Sequence, residues 1–106
     1  MINTNYFITI VKILEIPKQI ILPNNINYLR LRVEWNPYQQ TQIIHLVFWG
    51  FLIEDILKYY QINDYILIEG YLGFSVFSFL SSKNLKPRNL EVNILKIYPF
   101  LLNPYY

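Results

Sequence analysis

The chain has 106 residues, a formal net charge of +2 and no cysteine. That length suits one domain, residues 1–106, and the missing thiols exclude a disulfide framework and any thiolate metal site. With 54% hydrophobic and 15% charged residues, it can bury enough apolar surface to offset the entropy of ordering, which excludes a disordered chain.

Residues 5–14 are dominated by β-branched and aromatic types, with Phe7, Thr9, Val11 and Ile13 on one parity and Ile8, Ile10 and Lys12 on the other, which predicts a first strand. Pro17 and Pro23 bracket a short extended piece over residues 18–22, and Asn24, Asn25 and Asn27 supply turn-forming side chains. Residues 28–35 alternate, with Leu29, Leu31 and Val33 facing a core while Arg30, Arg32 and Glu34 face water. The polar residues 38–42 form a loop leading into a strand over 43–49 that closes at Gly50.

The period then changes. Leu52, Ile53, Ile56, Leu57 and Tyr60 follow the three-and-four spacing of a short amphipathic helix over residues 51–60, with Glu54, Asp55 and Lys58 outward. Asn63 and Asp64 make the turn out of it. Residues 65–79 form a long strand whose Gly70 and Gly73 predict a bulge or sharp coil. A polar, basic loop over 81–89 precedes a final alternating strand over 90–98 and an apolar, proline-interrupted tail over 99–106. One helix between the third and fourth strands of a five-stranded, mostly antiparallel chain is the order of a small all-β barrel, the OB-fold.

Residues 41–77 read TQIIHLVFWGFLIEDILKYYQINDYILIEGYLGFSVF. The run resembles the bacterial-type single-stranded DNA-binding protein family in Trp49-Gly50, then Leu52, Glu54 and Tyr59, then Ile68-Glu69-Gly70-Tyr71-Leu72 in matching register. Asn5-Tyr6-Phe7-Ile8 is similar to the family's opening, so the resemblance covers nearly the whole domain. The chain also looks like the short plastid-encoded relatives of that family. It has no alanine and abundant isoleucine, asparagine, tyrosine, phenylalanine and lysine, residues with AT-rich codons, in keeping with an organellar genome. The resemblance implies an OB-fold, non-catalytic binding of single-stranded DNA in replication, repair or recombination, a homo-oligomer (dimer or tetramer), and a place in the plastid stroma.

A charge of +2 gives little long-range attraction for a polyanion, so stacking must supply part of the hold. A stacked base contributes about 1–3 kcal/mol and tolerates any sequence. Carry-over from the family makes Trp49, Phe77 and Trp35 the stacking candidates, and Tyr71 shares an outward parity with Glu69 and Tyr65. Arg30, Arg32, Lys83, Lys86 and Arg88 are the candidate phosphate contacts, the last three on the loop before the final strand. Tyr59 is expected to pack the helix on the barrel, Glu34 to lie beside Arg30, and Glu69 to be structural. Where the family's third strand opens with an aromatic and a histidine this chain has Ile43-Ile44, which removes one platform. It also shows no Gly-rich linker with an acidic tip, so recruitment of partner proteins by that route is not expected.

Other chemistry is not expected. His45 is the only histidine, which leaves no zinc-ligand cluster and no serine-histidine nucleophile site, and no Gly-rich phosphate loop exists. No enzyme activity, cofactor, metal or small-molecule substrate is expected. The longest apolar stretches, residues 43–53 and 71–80, fall short of the roughly 20 residues that span a bilayer, and the N-terminus reads as neither a signal nor a transit segment. The competing expectation is an OB-fold protein-interaction module, or a primosome-type OB protein, with Trp49 and Phe77 turned inward and no basic groove.

Overall fold

The structure, a computed structural model, describes residues 5–74 and 90–102. Six strands and one helix follow in the order β1 (Tyr6–Ile13), β2 (Gln19–Ile21), β3 (Asn27–Trp35), β4 (Gln42–Trp49), α1 (Phe51–Tyr59), β5 (Tyr65–Phe74) and β6 (Leu90–Leu101). β1 pairs with β5, β5 with β6, β6 with β4 and β4 with β3. The ring closes where Lys12 and Ile13 of β1 meet Glu34 and Val33 of β3. All these pairs are antiparallel except β4–β6, which is parallel. This is the five-stranded OB barrel with its helix between the third and fourth barrel strands. The three-residue β2 adds a short arm to the outer edge of β3.

The alternation in the sequence decides which side chains fill the barrel. Val11 and Ile13 of β1, Leu29, Leu31 and Val33 of β3, Ile44, Leu46 and Phe48 of β4, Ile66 and Ile68 of β5, and Val92 and Ile94 of β6 are all buried in one cluster. Burying each such side chain contributes about 1.5–3 kcal/mol. Ile53 and Ile56 of α1, with Tyr60 just beyond it, plug one end. Glu54 in the first turn and Lys58 in the last each oppose the helix dipole. Tyr59, expected to pack the helix, is 58% exposed, and the neighbouring Tyr60, 8% exposed, takes that role. Tyr60 falls on the helical stripe set by Ile53 and Ile56, and Tyr59 lies one residue, about 100°, away from it.

Three backbone positions shape the connections. Asn25 and Asn63 take positive φ, 63° and 72°, at the two asparagine-marked turns, a conformation asparagine tolerates better than most residues. Gly50, at φ 61° and ψ −134°, turns the chain from β4 straight into α1 through a region glycine adopts without a Cβ penalty. That is the reason for glycine after Trp49. Between Glu69 and Gly70 the β5–β6 register shifts, giving the irregularity expected at that glycine.

The last strand runs further than its alternation predicts. Pro99 and Leu101 pair with Ile66 and Tyr65. Among the described residues, β6 past Asn93 has a strand neighbour on its β5 side alone, and a proline lacking an N–H is tolerated on such an edge and beside a register shift.

Candidate nucleic-acid interface

Outward positions on β3, β4 and β6 come into register as one face of the barrel. On one level Trp49 of β4 stands opposite Tyr28 of β3, which stands opposite Ile20 of β2. On the next, Arg30, Val47, Asn93, Tyr71 and Tyr6 form a row across β3, β4, β6, β5 and β1. On the third, Arg32, His45 and Glu91 lie across β3, β4 and β6.

Trp49 is 43% exposed. Its ring lies 5.6 Å from that of Tyr28 at an interplanar angle of 35°, and Tyr28 is buried behind it. Its indole N–H points to Asn93 Oδ1 at 3.5 Å, at the long limit of a hydrogen bond. The indole is therefore held on two sides and open on a third, the arrangement a stacking platform needs.

Arg30 donates from Nε to Glu91 Oε2 at 2.7 Å. Its partner is this buried carboxylate from β6 rather than Glu34 of its own strand. Glu34 shares the parity of Arg30, stands opposite Lys12 of β1 and accepts a hydrogen bond from Asn36 Nδ2 at 3.4 Å, whereas the Arg30 side chain reaches sideways across β4. Arg32 is exposed, and its backbone N–H donates to Glu15 Oε1 at 2.9 Å.

His45 sits among these charges with its Nδ1 buried and unpartnered. Burial, followed by the guanidinium of Arg30, holds its imidazole below the usual histidine range; Arg32 acts in the same direction, and Glu91 and Glu15 oppose it. The unfolded chain therefore binds a proton that the folded protein resists, so this contribution to stability is present above the ordinary pKa of about 6.5 and is lost as pH falls below it. Thermal melts from about pH 7.5 down to about pH 5 should show a falling Tm, a window above most carboxylate titration. His45→Gln should flatten that slope; an unchanged slope would place its origin elsewhere.

On the β1–β5–β6 side of the face, Glu69 accepts hydrogen bonds from the Tyr6 and Tyr98 hydroxyls. The Tyr6 bond, then the Tyr98 bond, hold its carboxyl below the usual range, and the same bond pushes Tyr6 up to about 12. Glu69 thus ties β1 and β6 together over the strand between them.

Of the sequence-derived candidates, Trp49, Tyr71, Arg30 and Arg32 share the outward face. Tyr71 is half-buried, its ring 5.8 Å from that of Tyr6. Trp35 lies on the opposite side of β3: its ring meets Phe7 edge-on at 5.1 Å, its indole N–H donates to Thr9 Oγ1 at 3.2 Å, and it packs against the core. It shares the parity of Leu29, Leu31 and Val33, which turns it inward. Phe77, Lys83, Lys86 and Arg88 lie outside the described residues. Tyr28 and Asn93, not singled out from sequence, frame the Trp49 indole; the parity of Tyr28 with Arg30 and Arg32 was its available signal. Among the described residues, no group of histidine, aspartate or glutamate side chains could hold a metal ion, and no helix is long and apolar enough to cross a membrane.

An OB barrel with an exposed tryptophan beside two arginines on one open sheet face defines an oligonucleotide-binding type of domain. No family model matches the chain. It is 35% identical over 105 residues, covering 93% of this chain and 91% of the relative, to ycf41 of Trieres chinensis, a protein named for single-stranded DNA binding. The chain belongs to the single-stranded DNA-binding protein family. Its fold is shared by solved structures at much lower identity. The single-stranded DNA-binding domain of a Synechococcus protein has a TM-score of 0.70 at 16% identity, covering 92% of this chain and 98% of that one. The mitochondrial single-stranded DNA-binding protein Rim1 of S. cerevisiae has a TM-score of 0.75 at 13% identity, covering 96% and 99%.

Proposed function

We propose that this protein binds single-stranded DNA non-catalytically across the outward face of β3, β4 and β6. Trp49 is the stacking platform, Tyr71 extends it, and Arg30 and Arg32 meet phosphates. The observation that carries this reading is the Trp49 indole, backed by Tyr28 and exposed on the sheet face that also carries both arginines. The family relationship to ycf41 supports it. Phe77 and the basic residues Lys83, Lys86 and Arg88 remain in the proposal as further contacts, on the strength of the resemblance.

The rival reading, a protein-interaction module, expects Trp49 and Phe77 turned inward and no basic groove; the exposure of Trp49 on the face that carries Arg30 and Arg32 favours DNA binding over it, and Phe77 lies outside the described residues. Titration with oligo-dT should quench tryptophan fluorescence with an affinity that weakens as salt rises. A folded protein showing no quenching at low salt would remove the binding claim.

The same reading includes a homo-oligomer. Among the described residues, β1 pairs along residues 6–11 with β5 alone, and its other edge lies beside exposed Tyr6, Ile8 and Ile10. A free edge with apolar side chains is a template for a second strand. A second copy would continue the sheet there, forming a dimer or, by stacking of such sheets, a tetramer. The setting proposed is the plastid stroma, in replication, repair or recombination, in keeping with the AT-biased composition and the resemblance to plastid-encoded relatives.

A further inference from the structure

His45 occupies the middle of the third outward row, with Arg32 of β3 on one side and Glu91 of β6 on the other, each about one strand spacing, or 5 Å, away. It is the only histidine of the chain, and neither stacking on Trp49 nor the two arginine contacts gives it a task.

Among the described residues, the charged groups that act on this ring are Arg30 and Arg32 of β3, Glu91 of β6, and Glu15 from the segment after β1. Glu34, the next outward residue of β3, stands opposite Ile43 instead. Both carboxylates are already engaged: Glu91 accepts from Arg30 Nε at 2.7 Å, and Glu15 accepts from the Arg32 backbone N–H at 2.9 Å. Nδ1 is buried with no hydrogen-bond partner among the described residues, so no bond at that nitrogen fixes the charge of the ring. The surrounding charges and burial fix it instead, and in the unbound protein they favour the neutral imidazole.

A polyanion laid over this face alters that balance. Along β4 the outward positions after Trp49 are Val47 and then His45, about 14 Å from the indole position, and Arg30 and Arg32 flank that path on β3. Phosphates that meet the two arginines therefore lie within one screening length of the imidazole, about 10 Å at 0.1 M salt. They place negative charge where the arginines had prevailed, which favours the charged form of a histidine.

Resting on the binding reading above, we infer that His45 takes up one proton from solvent when single-stranded DNA binds, and then acts as a third cationic contact to its phosphates beside Arg30 and Arg32. The proton returns to solvent when the strand leaves. Because the complex holds more protons than the free protein, affinity rises as pH falls. The gain starts where the bound histidine titrates and is complete below the titration of the free one, which lies under the ordinary value of about 6.5.

With one histidine in the chain, its Cε1–H resonance can be followed by NMR from about pH 8 to about pH 5, alone and with oligo-dT of about 16 nucleotides. The midpoint should rise by about one pH unit in the complex, which corresponds to about tenfold tighter binding at the acid end. Fluorescence titrations of the unaltered protein and His45→Gln, with a thermal melt at each pH to confirm folding, should show that gain in the former and not in the variant. The salt slope of log affinity should also steepen on acidification by about 0.7, one added phosphate contact on a single strand, in the unaltered protein alone. A histidine midpoint unmoved by oligo-dT, or the same pH dependence in both proteins, would overturn the proton uptake while leaving the Trp49 site standing. Absence of quenching in the unaltered protein at every pH would instead overturn the binding reading and the proton uptake with it.

Discussion

Gly70→Ala is expected to destabilise the fold by about 3 kcal/mol, the upper end of the cost of overpacking. For a domain of this size that lowers the Tm by about 12 °C or more. A Cβ at this position would overlap the backbone carbonyl oxygen of Asn93 and lie 2.8 Å from Val92 Cγ1. Relief would require the β6 backbone to move, and β6 is clamped there from both sides: Asn93 pairs with Val47 of β4 and with Tyr71 of β5. Gly73 on the same strand is the control, because a Cβ there meets nothing closer than Asn93 Nδ2 at 3.9 Å. Gly73→Ala should therefore leave stability close to that of the parent. Urea denaturation of the two variants decides the matter, since equal midpoints would mean that the strands do not approach closely at Gly70. The substitution should also disturb Asn93 and, through it, the Trp49 indole.

The same glycine shows what can be read without coordinates. Its place in an apolar strand signals a bulge, and the matched Ile68-Glu69-Gly70 run ties it to a known fold, but neither says which strand comes close. That neighbour is Asn93, 23 positions further along the chain, and only the register of the β5–β6 pairing, with its shift at Gly70, brings it there. Period-two alternation in residues 28–35 and 43–49 placed the core correctly because one face of each strand is dry. It also contained the answer for Trp35, whose parity with Leu31 and Val33 turns it inward; carry-over by resemblance overrode that local signal. Arg30 was placed on the wet face by the same alternation, yet its partner Glu91 belongs to β6, two strands away. Contacts within a strand follow from spacing, whereas contacts across the barrel depend on shear and register, which no local pattern encodes. The place of the β2 arm was illegible for the same reason: residues 18–22 announce an extended piece and say nothing of the strand it pairs with, β3.

Trp49→Ala is expected to weaken binding of single-stranded DNA by about ten- to hundredfold, the loss of one base stack. It should leave the fold nearly intact, since the ring is exposed and packs mainly on Tyr28. Trp35→Ala should do the reverse. That ring fills the space between Phe7 and Thr9 against the core, so its removal should cost about 2 kcal/mol of stability, less than a fully buried aromatic because it is only partly covered. The folded fraction should keep its affinity. With two tryptophans in the chain, each variant reports through the other: Trp35→Ala retains the DNA-dependent quenching, and Trp49→Ala loses most of it. Fluorescence titration and thermal melts on the two proteins separate binding from folding. If Trp35→Ala abolished quenching while remaining folded, the DNA path would have to run over the edge of β3 near Phe7, and the face built on β3, β4 and β6 would no longer account for it.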